Sequence, residues 1–112
     1  MRATATEFLS FTVTKCRDES GRIVLWARVH GGGYLYASIG LNGGCSILAR
    51  KLVGCRVLVT VGINGDVIDF AAKVKARSRT TIGIAIPLRY RRMFHRGEVV
   101  EVRLRPIEGD GV

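Results

Sequence analysis

The sequence predicts a mainly β protein: a small, closed, pseudo-twofold β-barrel of about seven strands with two short helices. Apolar and polar residues alternate along most of the chain, glycine-bearing turns separate the alternating runs, and the second half repeats the first. The 112 residues suit one domain, residues 1–112, which is long enough to bury a core without staples.

Strands are predicted wherever β-branched and apolar residues alternate with polar ones between two turn signals. Asn64-Gly65 is the sharpest of these signals, because both residues tolerate the positive φ of a two-residue hairpin turn. The predicted strands are residues 8–15, 23–29, 34–41, 55–61, 67–75, 80–86 and 98–105.

Two segments follow helical spacing instead. In residues 46–53, Leu48 and Leu52 share one face of a short helix. The second helix, residues 87–95, begins at Pro87, whose missing N–H costs no hydrogen bond in a first turn, and Gly97 is suited to end it.

The chain repeats itself at a shift of 43 positions, roughly over residues 22–62 and 66–106. Each half reads strand, strand, helix, strand, and two such halves about a pseudo-twofold axis close a barrel without exposed edges. Residues 25–29 match residues 70–74 with two further positions of slippage. The other aligned residues are Ile39-Gly40-Leu41 with Ile82-Gly83-Ile84, Gly54 with Gly97, and Val57, Val59 and Val61 with Val100, Val102 and Leu104.

The three cysteines, Cys16, Cys45 and Cys55, match no metal-ligand spacing, so we expect buried free thiols. A Cys45–Cys55 bridge is the alternative if the source is a hyperthermophile, where intracellular disulfides occur. The first residues lack the apolar stretch of a secretory signal, and no run approaches the roughly 20 apolar residues of a membrane span. We therefore expect a cytoplasmic protein with no metal, no cofactor and no membrane partner.

Positive charge is concentrated in one third of the chain. Residues 73–105 contain ten of the eighteen basic residues and two acids, so they carry +8 of the net charge of +9. Such a field indicates a polyanionic partner, of which nucleic acid is the commonest, whereas the alternative is a solubilising surface.

Two sets of basic residues are candidates for the binding surface. The first is a row of alternate residues on one face of an extended segment, opposite to apolar residues that face the core. The second follows i, i+3, i+7 spacing on the second helix, on the side away from Tyr90, Met93 and Phe94. The candidate nucleic-acid-binding residues are Lys73, Lys75, Arg77 and Arg79 in the row and Arg89, Arg92 and Arg96 on the helix.

A second candidate patch surrounds the glycine-rich turn at residues 31–33. Tyr34 and Tyr36 share one face of a strand, and Arg28 and His30 precede the turn. Bases of a single strand can stack on tyrosines beside a cation. The alternative is that both rings pack over the rim of the barrel.

Catalysis has little support in the sequence. His30 and His95 are the only histidines, and no P-loop, paired-carboxylate or metal-ligand motif is present. The free N–H groups that open the helix at residues 42–46 could bind an anion or activate the Cys45 thiol, but the favoured interpretation is a plain turn and cap. We expect a protein that is not an enzyme.

The second half resembles the AbrB/MazE-type swapped-hairpin family and, more broadly, the cradle-loop barrels that include the double-psi barrels. The resemblance rests on Ile84-Ala85-Ile86-Pro87 before the basic helix, residues 88–96, and on Gly97-Glu98 before an alternating strand. It implies a transcription regulator or an antitoxin-type DNA-binding protein. Because members of that family pair two short chains into one barrel, it also implies that a duplicated chain can complete the barrel alone, so we expect a monomer or a homodimer.

The sequence thus predicts a nucleic-acid-binding protein, with DNA favoured over RNA, acting as a transcription regulator or chromatin-type protein. One alternative is a protein-interaction adaptor like the double-psi domains at the N-termini of AAA ATPases, whose basic face meets an acidic partner. A further alternative is an RNA or single-strand binder.

Overall fold

The computed structural model describes residues 16–31 and 33–107, which fold into seven strands and three short helices. The helices are α1 (Ile39–Asn42), α2 (Cys45–Arg50) and a 3-10 helix (Leu88–Met93). The strands are β1 (Ile23–His30), β2 (Tyr34–Ser38), β3 (Arg56–Ile63), β4 (Asp66–Lys73), β5 (Lys75–Ser78), β6 (Thr81–Ala85) and β7 (Val99–Pro106). The prediction of a mainly β protein is confirmed.

All seven strands belong to one antiparallel sheet with the order β4-β3-β7-β1-β2-β6-β5. The sheet is curled, because β4 at one end of this order also contacts β6 near the other end. The two end strands are neighbours in the chain, separated by Val74 alone. The backbone of Val74 exchanges hydrogen bonds with Gly54 and Cys55 rather than with a strand partner.

The core lies on the concave side of the curled sheet. Along β1, β3 and β7 every second residue is buried, as the period of two predicts, and Leu35, Val59 and Leu104 are fully buried. The 3-10 helix covers this core with Tyr90 and Met93, and Phe94 follows it into the interior. The opposite, convex side carries the exposed residues of the same strands.

Several predicted elements differ from the structure. The strand expected at residues 34–41 ends at Ser38, whose hydroxyl accepts a hydrogen bond from Leu41 N–H and so begins α1. As a result, residues 39–41 are helical, whereas their repeat partners 82–84 lie in β6. The strand expected at 67–75 is divided into β4 and β5. The strand predicted at residues 8–15 lies outside the described residues.

Asn42 completes the sheet where β2 leaves it. β1 pairs with β2 only from Arg28 to His30, so the peptide groups of Trp26 have no strand partner on that side. The Asn42 amide replaces it: Trp26 N–H donates to Oδ1 at 2.7 Å, and Nδ2 donates to Trp26 O and to Ser38 O, both at 2.9 Å.

The prediction of buried free thiols is wrong in part for each of the three cysteines. Cys16 and Cys45 form a disulfide, with Cα atoms 5.4 Å apart, and both are buried. Cys55 is exposed and unbridged, which contradicts both its predicted burial and the Cys45–Cys55 alternative. The expectation failed because Cys16 reaches α2 through tertiary packing beside β1, which sequence spacing does not reveal. A bridged Cys45 also has no thiolate for the activated role considered above.

Candidate nucleic-acid interface

The convex side brings the aromatic patch and part of the basic row together. In register across four strands, Arg28 of β1 is opposite Tyr36 of β2, Tyr36 is opposite Gly83 of β6, and Gly83 is opposite Lys75 of β5. Residues that are far apart in sequence therefore form one surface, which we call the cationic aromatic face. It comprises Arg28, His30, Tyr34, Tyr36, Lys75 and Arg77.

Tyr36 lies at the centre of this face. Its ring centroid is 4.1 Å from that of His30 and 6.0 Å from that of Tyr34. The Arg77 guanidinium carbon lies 5.3 Å from the same centroid, and Arg77 Nε donates to the Tyr36 hydroxyl at 3.0 Å. The ring thus holds an exposed histidine and an exposed arginine in defined positions.

Gly83 allows the Tyr36 ring to lie against β6. A Cβ at this position would come within 3.2 Å of Tyr36 Cε1, closer than an ordinary van der Waals contact. Gly83 is buried beneath the ring, so the absence of a side chain sets the depth at which the ring sits.

A hollow of about 570 Å³ opens beside the ring. Two arginines flank it, and each is held by one hydrogen bond: Arg77 by the Tyr36 hydroxyl, and Arg28 by Gly97 O, to which Nη1 donates at 3.0 Å. No lining residue is acidic. The lining residues are Arg28, His30, Tyr36, Ser38, Gly40, Leu41, Arg77, Ser78 and Thr81.

A second crevice, of about 310 Å³, lies beside the β1–β2 hairpin. Arg91 and Arg96 line it, and His30 lines both cavities. Arg91 Nε donates to Ile86 O at 2.9 Å. Arg96 packs so closely on Gly31 that a Cβ there would lie 2.9 Å from Arg96 Nε.

Arg91 was not among the predicted residues. The prediction assumed α-helical spacing for the second helix, but residues 88–93 form a 3-10 helix with three residues per turn. In that geometry Arg91 shares a side with Leu88, and Arg96 lies beyond the helix end. The Ile-Pro sequence before the helix signals its start, but no sequence signal distinguishes the two helix types.

The remaining predicted residues are exposed but lie elsewhere. Lys73 is opposite Arg56 of β3, and Arg79 lines a separate, mainly apolar cleft with Arg50 and Lys51. Arg89 stacks on the neighbouring Tyr90, with its guanidinium carbon 4.6 Å from the ring centroid. The candidate residues that the structure brings together are Lys75, Arg77 and Arg96 with Arg28, His30, Tyr34 and Tyr36.

The carboxylates that form ion pairs are found away from this face. Asp18 pairs with Arg22 at 2.8 Å and with Arg103 at 3.0 Å, and Arg103 also pairs with Glu101. Within residues 16–31 and 33–107, no ion pair to a carboxylate occupies the cations of the cationic aromatic face or those of the crevice.

The chain matches no protein-family model, and no curated protein or solved structure is significantly similar to it. Across the part of the chain that the structure describes, no helix is long and apolar enough to cross a membrane.

Proposed function

We propose that this protein binds nucleic acid through the cationic aromatic face. One observation carries the proposal: Arg28 and Arg77 flank the His30 and Tyr36 rings in one hollow that has no acidic lining residue. Guanidinium groups bind phosphate oxygens and guanine edges through a planar fork of donors, and flat rings stack on bases.

The resemblance to AbrB/MazE-type proteins supports a regulatory role on DNA, as a transcription regulator or a chromatin-type protein. An adaptor for an acidic protein partner would use the same positive charge. It would not need the ring cluster around Tyr36, so the cluster favours nucleic acid.

Salt titration tests the proposal. Binding of a fluorescent oligonucleotide, followed by anisotropy, should weaken with added salt, with a slope of log K against log[salt] of about −5 if about six phosphates are neutralised. Replacing Arg77→Ala should weaken binding about tenfold and reduce the slope by about one, because a phosphate contact is lost.

Arg105→Ala is the matched control. Arg105 is an exposed strand arginine at the far end of β7, opposite Leu58. This variant should bind like the parent protein. Equal losses in both variants would indicate a diffuse charge effect, and no binding at low salt would refute the proposal.

We also propose that the chain is an internal duplication. At the shift of 43 positions, the bounds of α2 coincide with those of the 3-10 helix, and the bounds of β3 coincide with those of β7. The aligned glycines before these two strands, Gly54 and Gly97, have nearly equal positive φ values of 89° and 87°. Equal backbone geometry at aligned positions supports common origin over chance alternation.

Strand register supports the same proposal and extends it to a closed barrel. In the sequence repeat, Leu25 of β1 aligns with Phe70 of β4, and Val59 of β3 aligns with Val102 of β7. The strand pairing preserves this alignment, because Leu25 is opposite Val102 and Phe70 is opposite Val59. By this correspondence β4, Val74 and β5 act as one continued strand that joins β3 to β6, as β1 joins β7 to β2. Such a strand would close the barrel.

The other sequence-based expectations stay predictions: a protein that is not an enzyme, a monomer or homodimer, and a cytoplasmic location. The Cys16–Cys45 bridge is compatible with a cytoplasm of the hyperthermophile kind, in which intracellular disulfides persist.

A further inference from the structure

We infer that the nucleic acid recognised at the cationic aromatic face is single-stranded, and that one unpaired base enters the hollow beside Tyr36. This inference rests on the proposed function and names its ligand class. It is argued from the shape of the hollow, from its planar groups and from the position of its cations.

The shape favours an unpaired nucleotide. The hollow lies between β1, β2, α1 and the β5–β6 hairpin, and its lining includes Leu41 and Tyr36. Phosphates on the outside of a duplex can touch the rim arginines, but paired and stacked bases cannot enter a recess. A base that is free of its partner can.

The planar groups provide stacking surfaces. The Tyr36 ring is half-buried against Gly83, and it supports His30 and Arg77, both of which are exposed. An imidazole ring and a guanidinium plane both stack on bases without regard to sequence. The hollow therefore offers flat exposed groups on which an unpaired base can stack.

The cations provide a path for the backbone. Arg28 and Arg77 flank the hollow, and the crevice with Arg91 and Arg96 begins on the other side of His30. A strand that places a base in the hollow can lay its next phosphates in the crevice. Cations thus contact the phosphate backbone on both sides of the stacked base.

The experiment compares four fluorescent ligands at one salt concentration: oligothymidylate of about 12 nucleotides, the corresponding oligouridylate, an abasic strand of equal length, and a hairpin duplex. We expect both single strands to bind at least tenfold more tightly than the duplex. The abasic strand keeps every phosphate but has no bases, so it should lose about tenfold relative to oligothymidylate.

His30→Ala separates stacking from charge. The variant should weaken binding of the normal single strands about tenfold and leave binding of the abasic strand unchanged, because only the stacking surface is removed. Trp26→Ala is the matched control: Trp26 is 48% exposed on the same face of β1 but lines neither cavity, so its loss should change nothing. Both residues are exposed, so both variants should fold.

The outcomes separate the two proposals. Equal or tighter binding of the duplex, or an abasic strand that binds as well as oligothymidylate, overturns the single-strand inference and leaves nucleic-acid binding intact. Failure of all four ligands to bind at low salt overturns both.

Discussion

At the scale of single residues, Asn42 has the clearest structural role. It is the one buried polar side chain among the described residues, and all its hydrogen bonds go to the backbone of Trp26 and Ser38. An apolar side chain of similar size would fill the same space but would leave the Trp26 peptide groups unpaired. The Asn42 amide therefore serves as the strand partner that β2 does not provide.

Replacing Asn42→Ala should lower the free energy of unfolding by about 2–4 kcal/mol, because three part-buried backbone groups each lose a hydrogen bond worth about 0.5–1.5 kcal/mol. Urea unfolding followed by the fluorescence of Trp26, the single tryptophan, measures this loss directly. Asn64→Gly is the control: Asn64 is exposed with a φ of 51°, which glycine adopts without strain, so stability should change by less than about 0.5 kcal/mol. A similarly small loss for Asn42→Ala would contradict the role assigned to it.

The residue scale also shows how far sequence could predict the candidate site. Lys75 and Arg77 are exposed, as their parity relative to the buried Phe70 and Val74 predicts, but Ala76, which the same parity assigns to the core face, is exposed as well. The contact between Arg77 and Tyr36 could not be predicted, since it depends on β2 and β5 both pairing with β6. Pairing between distant strands is a tertiary property, and local alternation does not encode it.

At the scale of elements, a turn held by one carboxylate joins the start of β1 to β7. Asp18 accepts hydrogen bonds from the N–H and hydroxyl of Ser20, from the N–H and Nε of Arg22, and from Nη1 of Arg103. Partial burial raises the pKa of the Asp18 carboxyl, but these hydrogen bonds from Ser20, Arg22 and Arg103 lower it by more. The net result is a pKa well below the ordinary value.

Because the pKa of Asp18 is depressed in the folded state, the turn stabilises the protein at neutral pH and loses this effect in acid. The stabilisation is fully present above the unfolded pKa of an aspartate, about 3.9, and is lost as the pH falls from there toward the lower folded pKa. Urea midpoints of the parent protein and of Asp18→Asn should therefore differ most at neutral pH and converge below about pH 4. A constant difference across this range would show that the Asp18 charge is not responsible.

Elements also show where local sequence rules failed. Asn64-Gly65 produced the predicted hairpin, because two residues alone determine such a turn. The end of β2 and the type of the second helix were mispredicted. Ser38 begins a helix in an otherwise alternating segment. Residues 88–93, which pack Tyr90 and Met93 on the core, form a 3-10 helix instead of the predicted α-helix.

At the scale of the whole molecule, long-range pairing dominates. β3 and β7 lie side by side within the sheet, and each pairs on both sides with strands from the other half of the sequence: β3 with β4 and β7, and β7 with β1 and β3. The curl of the sheet and the surface formed by β1, β2, β6 and β5 depend on these long-range pairings, which local alternation in the sequence does not encode.

The Cys16–Cys45 disulfide contributes to stability at this same scale, because it links the chain before β1 to α2 over 29 residues. In the chain-entropy description, closing a loop of that length restricts the unfolded state by about 3–4 kcal/mol. Reduction, or Cys45→Ser, should lower the free energy of unfolding by about that amount, measured by urea unfolding. Cys55→Ser should have little effect, because Cys55 is exposed and unbridged.

Thiol titration of the unfolded protein should find one reactive thiol before reduction and three after it. Three thiols without reductant, or a urea midpoint that reduction leaves unchanged, would mean that the bridge does not hold this fold together.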